Sequence, residues 1–350
     1  MQRSKDQIEE IVRLFHEMPQ GTSYKSAGRS LGVEEKALKR YVSGWRPHGD
    51  QPVEAPLLEQ AGLQVTLPPE ENFTVEDMIA LKKKIFRGLQ DQKNYARLIP
   101  VKVKKEGAIA ITLVGDPHVD DDGCDIEALE RDLETATATD GMFLGHIGDL
   151  TNNWIGRLGR LYAHQMMTMK QAKALLDWVL VGRPNAFVVN GNHDNWQNTD
   201  IINYALQSSS TPHGDHACRL GLQFSTGLEI RIHARHDFSG KSADHPTHGM
   251  RKELKYGHRD HILVCGHTHE DAYEMIHNPS EDIVTHMSRV SGYKVIDDYQ
   301  AENGFQECKF NASVTYVINP AARKQADLCK PFWDIEEAAD YLKFKRGVRC

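Results

Sequence analysis

From Ala108 onward the chain repeats one pattern: a short apolar run that stops at a polar cluster. AIAITLVGDPH, GMFLGHIGD, NAFVVNGNHD and HILVCGHTH all read this way, and LEIRIHARHDF ends on a similar polar tail. Short apolar runs without helical periodicity predict buried strands, here over 109–114, 142–147, 186–190 and 261–265. Between them, helical spacing predicts one helix over 126–138. It predicts a long one over 160–181 with Leu161, Leu175, Leu176, Trp178 and Val179. Strands and helices mixed in this way predict an α/β fold.

The first part of the chain has a different pattern. Residues 8–18 carry apolar side chains at 8, 11, 12, 14 and 15, one face of a helix that Pro19 and Gly21 end. The stretch YKSAGRSLGVEEKALKRYV, residues 24–42, resembles a helix-turn-helix. Gly28 sits where two helices would cross closely. Gly32 suits a turn that needs positive φ, and Val33, Leu38 and Tyr41 would face inward. The second helix, over 34–44, then exposes Lys36, Lys39 and Arg40, the positions that would meet DNA in the major groove. A plain helical hairpin packed on a partner protein is the alternative.

Residues 46–72 hold five prolines (47, 52, 56, 68, 69) and read as a linker. From Leu81 to Lys105, nine Lys/Arg face one acid, Asp91, a balance of +8. That segment predicts a basic helix reaching about Arg97, either solvated or set against a phosphate backbone. The chain therefore divides into 1–46 (helix-turn-helix-like), 47–106 (linker and basic helix), 107–322 (catalytic) and 323–350 (tail). In the tail, Asp334–Lys345 predicts a short amphipathic helix, and Lys343, Lys345, Arg346 and Arg349 make the end basic.

Composition narrows the class. The 350 residues are 40% hydrophobic and 26% charged, values of a soluble globular protein. No apolar run approaches the roughly 18 residues that cross a bilayer. The opening MQRSKDQIEE has no apolar signal core, so a cytoplasmic location is expected. The six cysteines (124, 218, 265, 308, 329, 350) are scattered without a C-x-x-C pair, which argues against a zinc ribbon or disulfide framework. The net charge of −7 does not itself point to nucleic acid.

The chemistry lies at the strand ends. Asp116 and His118, then Asp149, then Asn192 and His193, then His267 and His269 each follow a predicted strand. Ligands of α/β sheets bind beyond the carboxyl ends of strands, so four such clusters would converge. One aspartate or histidine after a strand is usually a turn residue or a cap. Four clusters of oxygen and imidazole donors are not. Donors of this kind suit Mn, Fe, Zn or Co better than Mg or Ca alone. At least seven candidate ligands, more than one catalytic ion needs, imply two ions. A further histidine comes from His233 or His236. The alternation of Leu228, Ile230 and Ile232 leaves His233 on the opposite face, and His236, at the strand end, is favoured.

Other polar residues have plainer readings. His146 lies inside a strand and is expected to be a satisfied core histidine. Asp120, Asp121 and Asp122 are expected to cap a turn before the helix at 126. Asn152, Asn153 and Trp154 either line the cleft, with Trp154 offering a face for a base, or pack as an ordinary loop. His248 could reach a phosphate or simply be exposed.

In this order and spacing, the D-x-H, GD, GNHD and GHTH blocks resemble the calcineurin-like metallophosphoesterase superfamily from about Ala108 to Asn319. The wording GDPHVDDDGCD, GDLTNNW, ARHDFSG and CGHTH resembles the members carried by phages and prophages. The resemblance implies two packed mixed sheets flanked by helices, a four-layer αββα sandwich, behind a small helix-turn-helix domain. It implies that Asp116, His118 and His269 hold one ion, that Asp149 bridges, and that Asn192, His267 and the strand-end histidine His236 hold the second. It makes His193 the residue that contacts the phosphate and protonates the leaving oxygen, with Asp194 orienting its ring. The activity implied is a dinuclear metal-dependent phosphoesterase. A phosphodiesterase or nuclease acting on DNA through metal-bound hydroxide, with Mn as the expected metal, is the leading form. A phosphomonoesterase on proteins or small molecules is the second reading. Protein phosphatases of this superfamily typically follow GD with Asp-Arg-Gly and have GNHE, whereas this chain has GDLTNN and GNHD. A non-catalytic phage DNA-binding regulator or adaptor is the third.

Overall fold

Two six-stranded sheets form the framework of the computed structural model, which describes residues 5–19, 22–44, 74–95, 98–163, 165–196, 201–242, 244–296 and 311–347. The first sheet contains β2 (Ile109–Val114), β3 (Met142–His146), β4 (Asn185–Val189), β5 (His213–Gly214), β11 (Ser313–Ile318) and β12 (Cys329–Phe332). Its order is β12-β11-β2-β3-β4-β5, with β2, β3 and β4 parallel neighbours and β11 antiparallel to β2. The second sheet contains β1 (Ile99–Lys102), β6 (Ala217–Gln223), β7 (Glu229–Arg235), β8 (Ile262–Cys265), β9 (Ala272–Asn278) and β10 (Ile283–Arg289). Its order is β1-β6-β7-β8-β10-β9, and β7 runs parallel to β8.

The two-residue period of a strand explains the layers. Ile109, Ile111 and Leu113 of β2 face the second sheet, where they meet Leu220, Leu222, Ile230, Ile232, Ile262 and Val264. Ala110 and Val114 face the other way, toward helices over Ile126–Ala138, Met169–Leu180 and Ile335–Lys345. Those helices bury Leu129, Leu133, Leu176, Val179, Ala338 and Leu342 at helical spacing. Outside the second sheet, Met250 of the helix His248–Tyr256 packs with Phe238, Leu263, Cys265 and Met287. The result is the expected αββα layering. Full burial of one such side chain contributes roughly 1.5–3 kcal/mol.

The sheets reach past the expected 107–322 boundary at both ends. β1 pairs with β6 from Ile99 onward, because Ile99 and Val101 contribute to the inter-sheet core. In the tail, β12 pairs with β11, and the helix Ile335–Lys345 joins the core, with Asp334 accepting from the amides of Glu336 and Glu337 as its cap. The long helix expected over 160–181 is two pieces, a 3₁₀ turn over Gly156–Ala163 and an α-helix over Met169–Leu180. Thr168 and Gln171 form a reciprocal capping box that starts the second piece afresh.

The N-terminal unit has helices over Lys5–His16, Tyr24–Ser30 and Glu35–Gly44 around Ala27, Val33 and Leu38. Gly32 takes φ +62°, and a Cβ on Gly28 would lie 2.5 Å from the Val33 carbonyl. Close crossing therefore demands glycine there. Lys36, Lys39 and Arg40 are exposed on the third helix, with Lys39 ion-paired to Glu35 at 2.9 Å. The proline-rich stretch 46–72, Arg97 and Arg349 lie outside the described residues. The basic helix spans Val75–Tyr95 and exposes Met78, Ile79, Ile85, Phe86 and Leu89 among its lysines. Among the described residues no helix is long and apolar enough to cross a membrane, and the cysteines 124, 218, 265 and 329 are free thiols.

Candidate metal centre

β2, β3 and β4 of one sheet, and β7 and β8 of the other, end beside one another. The residues that follow them make the site. Asp116, His118, Asp149, His267 and His269 all have positive φ, between 40° and 71°. Side chains other than glycine avoid this region, and each such residue costs on the order of 1 kcal/mol or more. Surrounding contacts hold the strained turns in place. The Asp116 amide donates to the Gly148 carbonyl (3.1 Å), and the His118 amide donates to the Asp149 carbonyl (3.1 Å). The Asp116 carboxylate accepts from the His267 amide (2.9 Å), which ties the two sheets together. Glycines precede Asn192 and His267 because carboxylates lie against them. A Cβ on Gly191 would fall 2.0 Å from Asp149 Oδ1, and one on Gly266 would fall 1.9 Å from Asp116 Oδ2.

Three groups among the described residues bring one ligand atom each within 4.8 Å of one another: Asp116, His118 and His269; His118, Asp149 and His193; and Asp149, His236 and His267. The first gathers Asp116, His118 and His269, and the third sets Asp149 beside His236 and His267. Asn192 joins the third, its Oδ1 3.0 Å from His236 Nε2. His236 is the histidine brought into the cluster. His233 lies on the other face of the strand, its ring against Phe238 and its Nδ1 3.7 Å from Glu253.

The histidine tautomers follow from their partners. His118 Nδ1 donates to Asn152 Oδ1 (2.9 Å), His193 Nδ1 to the Asn152 carbonyl (2.5 Å), and His236 Nδ1 to the Ile147 carbonyl (3.0 Å). Each acceptor is an oxygen that carries no proton, so each Nδ1 carries one. The three Nε2 atoms are left turned toward Asp149 Oδ2, at 3.9, 3.8 and 3.2 Å. This is how ligating histidines are held by outer partners.

The donor set fits cations. His236 Nε2 faces Asn192 Oδ1 and Asp149 Oδ2, and its other ring nitrogen is already committed. Lone pairs that converge this closely need a positive charge between them. Burial opposes protonation of His236, but the carboxylates of Asp149 and Asp116 outweigh it and raise the pKa to about 10. Burial lifts Asp116 to about 7, with the Asp149 charge adding to the effect and His236 opposing it. Burial also pushes Asp149 upward, yet the surrounding histidines, His236 first, hold it below the usual carboxylate range. His118 is driven well below its ordinary value by burial and by neighbouring His193. A divalent ion would reverse the upward push on Asp116.

Asp194 does not orient the His193 ring. Its carboxylate accepts from the amides of Leu150 (3.1 Å) and Gly191 (2.8 Å), which fixes the two ligand turns, and the Asn152 carbonyl holds the ring instead. Burial, reinforced by Asp149, raises Asp194 to about 7. The acidic triplet does more than cap. Asp121 caps the Gly123 amide and accepts from Asn152 Nδ2 (2.7 Å), while Asp120 accepts from the Asn152 amide (2.8 Å) and Gln165 (2.8 Å). Asp125, not the triplet, caps the helix at 126. His146 is a buried core histidine, lowered by burial to about 4, but it is only half satisfied: Nε2 pairs with Asn185 and Nδ1 has no hydrogen-bond partner. His248 is exposed at the start of its helix.

Arg289 carried no signal in the sequence. It is 4% exposed, and it donates to the carbonyls of Gly266 (2.6 Å) and Pro246 (3.1 Å), to Thr268 Oγ1 (2.9 Å) and to Asp237 (3.2 Å). One guanidinium thus joins the turn after β7 to the turn after β8.

No family model matches the chain, and no curated protein matches it. Solved structures do. Vps29 complexed with zinc, from Entamoeba histolytica, is 12% identical, with TM-score 0.32, covering 65% of this chain and all (100%) of that one. The calcineurin-like phosphoesterase YfkN from Bacillus subtilis is 10% identical, with TM-score 0.34, covering 69% and 97%. A metallophosphoesterase from Sphaerobacter thermophilus is 13% identical, with TM-score 0.33, covering 69% and 95%. Likenesses this distant decide nothing about chemistry, which rests on the residues above.

Proposed function

We propose that the chain is a dinuclear metal-dependent phosphoester hydrolase. The observation that carries this reading is the set of three histidines, 118, 193 and 236, each pinned through Nδ1 to an oxygen and turned through Nε2 toward one buried aspartate. Asp116, His118 and His269 would hold one ion, Asn192, His236 and His267 the other, and Asp149 both. Bound divalent ions neutralise phosphate charge and lower the pKa of water enough to supply hydroxide near neutral pH.

The chain's own residues then do the following. Asn192 supplies an oxygen donor without adding negative charge, so the site keeps its pull on an anionic phosphate. His193 lies at the edge of the donor cluster, partly exposed, where its ring, once protonated at Nε2 as well as Nδ1, can give the Nε2 proton to the departing oxygen. Asn152 accepts from Nδ1 of both His118 and His193, which leaves Nε2 of His118 bare for an ion and aims Nε2 of His193 into the cluster. Asp194 and Arg289 fix the turns that carry the ligands.

We further propose that the ester is a phosphodiester in DNA and that manganese is the working metal. Exposed Lys36 and Arg40 on the third helix and the +8 segment over 81–105 supply phosphate contacts, which position a nucleic acid without specifying its sequence. The protein purified with Mn²⁺ is expected to hold two ions per chain and to hydrolyse bis-p-nitrophenyl phosphate faster than p-nitrophenyl phosphate. Asp149→Ala should lose metal and turnover together. Wild-type metal content in that variant, or a clear preference for the monoester, would refute the ligand assignment or the diester reading respectively. Duplex binding that is equal with and without residues 1–46 would refute the role of the helical unit.

A further inference from the structure

Two tryptophans stand beside His193. The ring of Trp154 lies 5.0 Å from the His193 ring, and that of Trp196 lies 3.9 Å from it, tilted by 34°. The indoles are 6.2 Å apart. We propose that Trp154 and Trp196 form an aromatic platform that stacks a nucleobase carried by the substrate. The ester would then be a nucleobase-bearing phosphodiester. This rests on the phosphoesterase reading and assigns the side chains that would hold the substrate's base.

The platform is carried by the same segments as the reactive groups. Trp154 follows Asn152, which holds the rings of His118 and His193. Trp196 ends the short helix Asn192–Trp196, which presents His193. Between them, Asn153 has φ +42° and donates to the His193 carbonyl at 2.7 Å, so the direction of the chain entering Trp154 is fixed. Lys294, only 6% exposed and paired with Asp121 at 3.0 Å, sits 5.2 Å from the Trp154 ring centre. A buried cation over an indole holds that ring in place.

Tryptophan contributes most when it buries its large apolar surface, yet both indoles remain partly exposed beside a cluster of charged and imidazole groups. A bare phosphate or an aliphatic ester makes no use of them. A base does, because every base has a flat π-face. The 6.2 Å separation is short of the about 7 Å, twice a carbon–carbon contact, that a ring inserted between them would require. The base is therefore placed against the pair rather than between the two rings, beside His193.

The test compares thymidylyl-thymidine with its analogue in which both bases are replaced by hydrogen, using the full chain loaded with Mn²⁺. The wild type should favour the base-bearing dinucleotide in kcat/KM by roughly ten-fold or more, the size of one base–aromatic stack. Trp154→Ala and Trp196→Ala should each shrink that ratio, and Trp154→Phe should keep part of it. Equal wild-type rates on the two compounds would overturn the platform, as would a ratio undiminished in both alanine variants. Should an alanine variant fail to fold, the wild-type ratio and Trp154→Phe still decide. Hydrolysis of bis-p-nitrophenyl phosphate with neither dinucleotide cleaved would overturn the platform and leave the phosphoesterase reading standing. Failure on every ester would instead remove that reading. Tryptophan fluorescence without metal then tests the platform alone: thymidine monophosphate should quench the wild type, inorganic phosphate should not, and Trp154→Phe should weaken the quench. Quenching unchanged in that variant would overturn the platform.

Discussion

His233 and His236 lie three residues apart, and both are buried, yet they are opposites. Burial lowers His233 to about 4, and Glu253 and Asp260 only partly offset it. His236, buried to a similar degree, is raised to about 10 because Asp149, 3.2 Å from its Nε2, and Asp116, 3.9 Å from its Nδ1, both lie beside it. Removal from water disfavours the charged ring in both cases. What separates them is the convergence of acceptors on one ring nitrogen while the other is already bonded. A buried histidine is thus no ligand in itself. His146, His261 and His286 are likewise lowered to about 4, mainly by burial, and belong with His233.

The comparison can be broken most directly at the two residues themselves. His236→Ala should lose one ion per chain and nearly all turnover, whereas His233→Ala should keep both ions. Metal analysis of the two purified variants decides, and a full complement in His236→Ala would end the distinction. His193→Ala should retain metal and lose turnover by roughly 10²–10⁴, the usual range for a missing general acid. Steady-state kinetics with a metal count on the same sample checks this. Asn152→Ala leaves every ligand present but frees His118 Nδ1, and should weaken metal affinity or activity by roughly 10–100-fold. A titration with Mn²⁺ that matched the wild type would deny Asn152 its part.

The smallest effect sharpens the other half of the comparison. His146, His233, His261 and His286 are neutral in the fold, with pKa lowered to about 4 from an ordinary value of 6.5. Above pH 6.5 both folded and unfolded chains leave them uncharged, so they do not affect stability. As the pH falls from 6.5 toward 4, the unfolded chain binds protons that the folded chain resists, and stability declines. Asp116 and Asp194, raised to about 7, act in the opposite sense over the same range, so the share of one ring is read as a difference: urea midpoints of His233→Gln should fall less from pH 7.5 to pH 5 than those of the wild type. Equal slopes in the two would mean that His233 protonates in place.

Much of the site was legible because ligand residues follow apolar runs. Asp116, Asp149, Asn192 and His267 each stand just beyond a continuous hydrophobic stretch, a pattern that needs no tertiary information. His236 was separable from His233 by strand alternation alone. β9 and β10 are among the strands whose pattern the sequence hides. β9 alternates exposure along its length, and β10 buries Thr285, His286, Ser288 and Arg289, polar residues that do not look like a core strand. Arg289 and Asn152 act through backbone carbonyls and side chains brought close only by folding, so local sequence carries no trace of their roles. The same holds for Asp194, whose carboxylate seeks amides on two different turns. The break within 156–180 was readable from Thr168 and Gln171, but the apolar spacing on either side masked it.

The Asp116 carboxylate from one sheet grips the His267 amide from the other, and the third ligand group draws Asp149 together with His236 and His267 across the same seam. Any ion seated there acts as a staple through the sandwich as well as a reagent. Chelation should then loosen the pairing of the two halves, and metal present at about a hundred times its dissociation constant should add about 2.7 kcal/mol to the free energy of unfolding.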